Sequence, residues 1–220
     1  MEFIADLHIH SKYSRATSQE CVPEMLDLWG RRKGIDLLGT GDFTHPAWRA
    51  ELKEKLMPAE EGLYILRPDT VVPDPALPVG RAVRFLISGE ISSIYKKGDK
   101  VRKVHNLILL PSLEDAECLS SKLETIGNLH SDGRPILGLD SRDLLEITLD
   151  CCPDAVFIPA HIWTPHFSLF GAFSGFDSIE ECFGDLTPRQ MARNLNTRPR
   201  PPTLPVRPPS ALRCYSFLRN

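Results

Sequence analysis

The sequence contains no long hydrophobic run: nothing approaches the ~18 apolar residues of a membrane span, and Met1-Glu2, with only a few apolar residues before Asp6, does not read as a secretory leader. No membrane partner is expected. The six cysteines (Cys21, Cys118, Cys151, Cys152, Cys182, Cys214) show no Cys-x-x-Cys spacing, and the adjacent pair Cys151-Cys152 is poorly placed for an ordinary disulfide. They read as reduced, mostly buried thiols of a cytoplasmic protein. Lysine and acidic residues are missing from Pro188 to Asn220, which instead holds seven arginines and seven of the 19 prolines. The net charge of −3 therefore divides into +7 for this stretch and −10 for residues 1–187. Such a composition does not readily build a core. Two units are expected: a folded domain over 1–187, and a segment over 188–220 that is either a disordered basic tail or sequence outside its natural reading frame.

What is present is ordinary for a globular protein: 220 residues, 42% hydrophobic and 25% charged, enough for one substantial core. The order of elements is informative. A strand over Phe3 to His10 precedes a polar loop and a helix over Pro23 to Lys33, whose apolar stripe is Met25, Leu26 and Trp29 and whose stop is Gly34. Ile35 to Gly39 is a second strand, so the chain opens β-loop-α-β with parallel strands expected. A helix over Ala47 to Leu56 follows, with Trp48 on its core side, then a proline-rich region over Met57 to Gly80 with room for a short hairpin at Leu63–Leu66. Strands are expected over Val83 to Ile91 and Val104 to Leu110, with a Gly98-Asp99 turn in the cationic stretch between them. Helices over Leu113 to Ile126 and Ser141 to Leu149, a strand over Ala155 to Ala160 and a short helix near Ile179–Phe183 complete the domain.

Chemistry-bearing residues recur at expected strand ends. In the opening strand, side chains two apart share a face, which brings Asp6, His8 and His10 together. Two adjacent imidazoles beside a carboxylate suit a divalent cation, although two hydrogen-bonded histidines near a terminus would look the same. Asp42 in Gly39-Thr40-Gly41-Asp42, Glu90, His105 and His161 occupy or adjoin other strand ends, His105 least neatly. Several strands delivering such groups to one rim is the pattern of a β/α barrel site. Imidazole and carboxylate donors without thiolate suit Zn, Mn or Fe in hydrolysis, where clustered cations hold a hydroxide and clamp the attacking and leaving oxygens of a phosphoester. His45 is balanced between a supporting role at this site and a cap of its proline loop. His166 reads as a neighbour of the site, and His130 as solvated. Lys96, Lys97, Lys100, Arg102 and Lys103 around the hairpin, with Lys12 and Arg15 beside the first strand, either contact phosphates or are merely solvated charges protecting a sheet edge.

Asp6-Leu7-His8-Ile9-His10-Ser11 resembles the first motif of the PHP (polymerase and histidinol phosphatase) superfamily. Ala5 to Thr17, Gly39 to Pro46 and Pro159 to Pro165 are similar to the PHP domain of the endonuclease Q family, with Gly89-Glu90-Ile91 and His105-Asn106-Leu107 in the expected places between them. The resemblance implies a distorted PHP-type β/α barrel with two to three divalent cations (Zn, Mn or Mg), and an enzyme that nicks DNA 5′ of deaminated bases or abasic sites. It assigns His8, His10, Glu90, His105 and His161 as metal ligands and Asp42 as the acidic residue of the second motif, where Phe43 replaces the histidine common in the superfamily. Asp42 and Glu90 are thereby the catalytic carboxylates, and DNA is the expected partner, met by the cations named above. The family's barrel closes with a late Asp-x-His motif; none occurs here after His161, so an incomplete barrel and an impaired nuclease are expected. The alternatives are a phosphoesterase acting on a small monoester and a non-catalytic nucleic-acid-binding fragment.

Overall fold

The computed structural model describes residues 3–77, 80 and 82–194. β1 (Ala5–Asp6) leads through α1 (Pro23–Lys33) to β2 (Leu37–Gly39), and the two strands are parallel as expected. α1 has Pro23 in its first turn, three cations in its last, and Gly34 in the left-handed region (φ 75°), the pattern of a helix with a favourable dipole and a glycine stop. α2 (Pro46–Lys55) is followed by the antiparallel hairpin of β3 (Leu56–Pro58) and β4 (Tyr64–Leu66). Then comes β5 (Arg84–Lys97), the longest strand. Its first residues pair in parallel with β2, and Phe85 pairs with Tyr64 of β4. Its remainder pairs in an unbroken antiparallel ladder with β6 (Lys100–Leu110) across the Gly98-Asp99 turn, with Gly98 at φ 62°. α3 (Leu113–Glu124), β7 (Ile136–Leu137), α4 (Ser141–Cys151), β8 (Val156–Pro159), α5 (Ile179–Phe183) and α6 (Thr187–Asn194) complete the described chain. β7 adds to β5 in parallel, and β8 runs antiparallel to β6. The helices cover the sheet around a core that includes fully buried Phe43, Trp48, Phe85, Phe157 and Phe183.

The sheet has eight strands but is not a closed barrel. β1 pairs with β2 and β8 with β6, and among the described residues these two margins do not pair with each other. The expected β/α rim is also replaced in part. Glu90 and His105 lie inside long strands, because the strand-forming residues continue past Ile91 to the Gly98 turn and build an antiparallel hairpin rather than a βα unit. β1 is correspondingly short, ending at Asp6, so His8 and His10 follow the strand instead of belonging to it.

Smaller differences have local causes. Trp29 is 43% exposed and lies under Arg32 (5.0 Å) instead of in the core. Asp140, rather than Ser141, caps α4. Cys118 is exposed and Cys151 half-buried, whereas Cys152 and Cys182 are buried; the five described cysteines are all free thiols. Helix α6 occupies the first residues of the stretch expected as a tail; residues 195–220, with Cys214, lie outside the described residues. No described helix is long and apolar enough to cross a membrane.

Candidate metal centre

Glu90 is the geometric middle of the site. It is 1% exposed, on β5, and the ladder places Ser92 opposite His105, so Glu90 and His105 stand two positions apart on one face of the hairpin. His105 Nδ1 lies 3.0 Å from Glu90 Oε1. β8 is registered on β6, and the Ala160 N–H donates to the His105 carbonyl (2.8 Å), which brings the next residue, His161, into place. His161 Nε2 is 3.4 Å from Glu90 Oε1 and 3.2 Å from His105 Nδ1. From the opposite margin, His8 Nε2 reaches Oε1 (3.2 Å) and His10 Nε2 reaches Oε2 (3.4 Å). The His8 and His161 rings are near-parallel with centroids 6.1 Å apart, so the cluster bridges the open side of the sheet.

Asp42 supports this cluster from beneath. It is fully buried, and its Oδ2 accepts from the Ser11 N–H (2.7 Å), the Ser11 hydroxyl (2.7 Å) and the Ser14 hydroxyl (2.9 Å). Its Oδ1 pairs with His10 Nδ1 (3.0 Å), leaving Nε2 as the nitrogen that faces Glu90. Asp42 itself sits in the left-handed region (φ 49°), which Asp tolerates better than most residues. The glycine before it is required: Gly41 has φ 67°, and a Cβ there would lie 2.6 Å from the Ile9 carbonyl oxygen. Gly133 closes the other side, where a Cβ would lie 2.2 Å from Asp42 Oδ2. At the second margin Thr164 plays the comparable part, its hydroxyl 3.0 Å from His161 Nδ1, and His161 also has positive φ (34°). Backbone held in this region costs on the order of 1–3 kcal/mol per residue and persists where the surroundings enforce it.

The electrostatics favour one fixed anion. Burial pushes the Glu90 carboxyl up, but the histidines around it, His10 first, outweigh burial and hold it far below the usual carboxylate range. For His10, burial works against the charged form, yet Asp42 and Glu90 raise its pKa to about 9. His105 goes the other way, since its burial outweighs Glu90 and lowers its pKa. Three imidazole nitrogens crowd Glu90 Oε1, but none is aligned to hydrogen-bond it, and the atom is buried without a hydrogen-bond partner. Such an orphaned oxygen amid convergent nitrogens fits a cation better than it fits a hydrogen-bond network. Two groups of candidate ligands result, His8–His10–Glu90 and Glu90–His105–His161, and Glu90 belongs to both.

The remaining expected residues separate clearly. Asp6 is buried in β1. His45 is buried under the Tyr13 ring (4.2 Å) with Nε2 3.2 Å from the His130 carbonyl, and burial lowers its pKa. His166 stacks on Phe173 (4.5 Å), and His130 is exposed beside Glu124. Of the hairpin cations, Lys97 binds Asp140 (3.0 Å) and the Cys182 carbonyl, while Arg102 is buried on Glu181 (2.8 Å), the Gly175 carbonyl and the Phe176 ring. Lys96 and Lys100 are exposed, and Lys103 lies over Phe167. Lys12 pairs with Glu51 (2.9 Å); Arg15 is 82% exposed beside Asp132. Sequence reasoning passed over Arg134, whose Nη1 lies 3.3 Å from Glu90 Oε2. It also passed over Gly133, Ser11, Ser14 and Thr164 as site-forming residues. The Gly133-Arg134 step looked like any polar turn, and only its position against Tyr13 and β5 distinguishes it.

No family model matches the chain. It is 32% identical over 161 residues to an uncharacterised protein of Methanocaldococcus jannaschii, an alignment covering 73% of this chain and 16% of that protein. Among solved structures, the lesion-specific endonuclease PfuEndoQ from Pyrococcus furiosus superposes with a TM-score of 0.66 at 29% identity. Endonuclease Q in complex with a 27-mer duplex substrate carrying an abasic lesion at the active site gives 0.66 at 30%. Each superposition covers 83% of this chain and 40% of the solved one, so the chain spans less than half the length of these relatives. The chain is endonuclease Q-like in structure over that length.

Proposed function

We propose that this chain carries the metal centre of a metal-dependent phosphodiesterase that cuts DNA beside lesions, deaminated bases or abasic sites, as a divergent relative of endonuclease Q. The observation that carries this reading is the single buried carboxylate, Glu90, shared by two histidine groups in a domain like that of a lesion-specific endonuclease. Divalent cations held there supply Lewis acidity for hydrolysis of a phosphodiester. The chain's own residues do the rest. Glu90 bridges the two groups, His8 and His10 serve one, and His105 and His161 the other. Asp42 and Thr164 fix the tautomers of His10 and His161 by occupying their far nitrogens.

DNA contact falls to cations on the site face of the hairpin and to exposed cations near it. The ladder puts Lys96 and Lys103 on the same hairpin face as Glu90 and His105, and Arg15 and Lys100 are exposed nearby in the chain. Trp163 and Phe173, 77% and 73% exposed on the loop after His161, offer flat surfaces of the kind that bases stack on.

The deciding experiment incubates the chain with Mn, Zn or Mg and an end-labelled duplex carrying one abasic site. A single nick 5′ of the lesion, absent from the undamaged duplex and abolished by chelation, is the expected result. Turnover of p-nitrophenyl phosphate without nicking would favour a monoesterase. Salt-sensitive DNA binding with no cleavage would make the chain a non-catalytic binding fragment.

A further inference from the structure

We infer that Arg134 is a substrate-binding residue, the cation that holds a non-bridging oxygen of the phosphodiester, with Glu90 as its resting counter-ion. This rests on the phosphodiesterase reading and adds to it a group from a segment outside the motif stretches. Glu90 is the one carboxylate the Arg134 guanidinium reaches among the described residues, by Nη1 on Oε2 at 3.3 Å. The same oxygen is 3.4 Å from His10 Nε2, so the guanidinium stands at the edge of the first histidine group. Its side chain is nevertheless 36% exposed, against 1% for Glu90. A guanidinium offers five donors in a flat fork suited to two phosphate oxygens, and a single contact to Glu90 leaves most of them to meet a ligand arriving from solvent.

The backbone at this position is anchored while the side chain is not. The Arg134 N–H donates to Asp132 Oδ1 (3.1 Å), the Gly133 N–H to the Tyr13 carbonyl (3.0 Å), and the Ser92 N–H to the Pro135 carbonyl (3.0 Å). Pairing of β7 with β5 begins two residues later. The Cα is therefore pinned between the loop after β1 and the strand that carries Glu90, which is more support than a solvent-facing arginine needs. Charge accounting gives the direction of its action. When Glu90 is committed to cations, its negative charge is consumed and the guanidinium beside it is left without a partner. A phosphodiester brings one negative charge and gains more as the transition state forms, so an arginine released by Glu90 meets an anion in the right place.

Isothermal titration of the full chain tests this in two stages, first with manganese(II) alone, then of the loaded protein with the phosphodiester thymidylyl-thymidine, with thymidine as the phosphate-free control. Arg134→Gln should leave manganese uptake within about 2-fold of the parent, since the guanidinium is no ligand. It should weaken the diester on the order of 10- to 100-fold, the range for a lost charged hydrogen bond, and leave thymidine unaffected. Arg134→Lys, which keeps charge but loses the fork, should fall between them. Unchanged diester affinity in a metal-loaded Arg134→Gln protein would overturn the inference. So would loss of manganese uptake in that variant, because Arg134 would then serve only to hold Glu90. Failure of the parent chain to take up manganese would sink the metal-centre reading itself and this inference with it, a result visible before any diester is added.

Discussion

The two margins of the sheet supply similar chemistry by different means. On the β1 side, His8 and His10 come from chain that has already left a two-residue strand, and side-chain hydrogen bonds position it: Asp42 ties together Ser11, Ser14 and His10. On the β8 side, Glu90 and His105 stand inside an eleven-pair antiparallel ladder, and the backbone register aligns them. The first arrangement depends on one buried carboxylate and two tightly approached glycines; the second depends on strand pairing. A histidine pair after a weak strand needs a cage, whereas a ligand in mid-ladder does not.

That contrast can be broken at its common point. Glu90→Gln removes the only residue shared by the two groups, so uptake of Mn or Zn, followed by titration calorimetry, should fall by more than the ~10–100-fold typical of losing an outer-sphere partner. Retention of one full-affinity site would show that the two groups act independently. Asp42→Asn should affect one margin only. Metal affinity is expected to drop within that ~10–100-fold range, and thermal stability by about 1–3 kcal/mol for the hydrogen bonds misdirected in a buried position. The comparable change at the second margin, Thr164→Val, should be milder, because His161 is also held by its neighbours on β6.

Gly133→Ala tests the cage without touching a ligand. Its new methyl would collide with Asp42 Oδ2, and a loss of about 1–3 kcal/mol in denaturant unfolding is expected for such overpacking. A neutral result would mean that the loop can retreat. The pH response sharpens the same asymmetry. His10 has its folded pKa raised from 6.5 to about 9, so its proton stabilises the metal-free fold fully below 6.5, and that contribution is lost as pH rises through about 9. The melting temperature of the metal-free chain should decline across that window and flatten in Asp42→Asn. The same proton must leave before His10 Nε2 can accept a cation, so metal uptake should strengthen over the same window.

The smallest effects belong to the hairpin. Lys96→Ala and Lys103→Ala should each weaken DNA binding modestly and reduce the slope of log affinity against log salt by about 1. Arg102→Ala should instead lower stability, since its charge is buried on Glu181 and Phe176. If all three behave alike, the two faces of the hairpin are not distinct.

Much of the fold was legible. The limits of α1 and α5, the parallel β1–β2 pair and the Gly98-Asp99 turn follow from caps, periodicity and turn chemistry. His8, His10, Glu90, His105 and His161, singled out separately along the sequence, do converge in the fold. What misled was where strands stop. Local pattern ended one strand at Ile91, but the ladder carries it to Lys97, because pairing with β6 stabilises residues that alone would read as a cationic loop. Cations were equally opaque: Lys97 and Arg102 look like Lys96 and Lys103 in sequence, yet cross-strand geometry turns one pair inward and leaves the other on the site face.

Residue chemistry and short-range spacing determined on their own that this protein would carry imidazole and carboxylate donors and a parallel opening unit, because these depend only on side-chain type and local backbone preference. Tertiary structure alone decided that Glu90 would be common to both histidine groups, that Asp42 would face His10 and that Arg134 would reach the same carboxylate. Those relations join residues 15 to 82 positions apart, and only the pairing of strands and the close approach of loops brings such distant positions within a few ångströms.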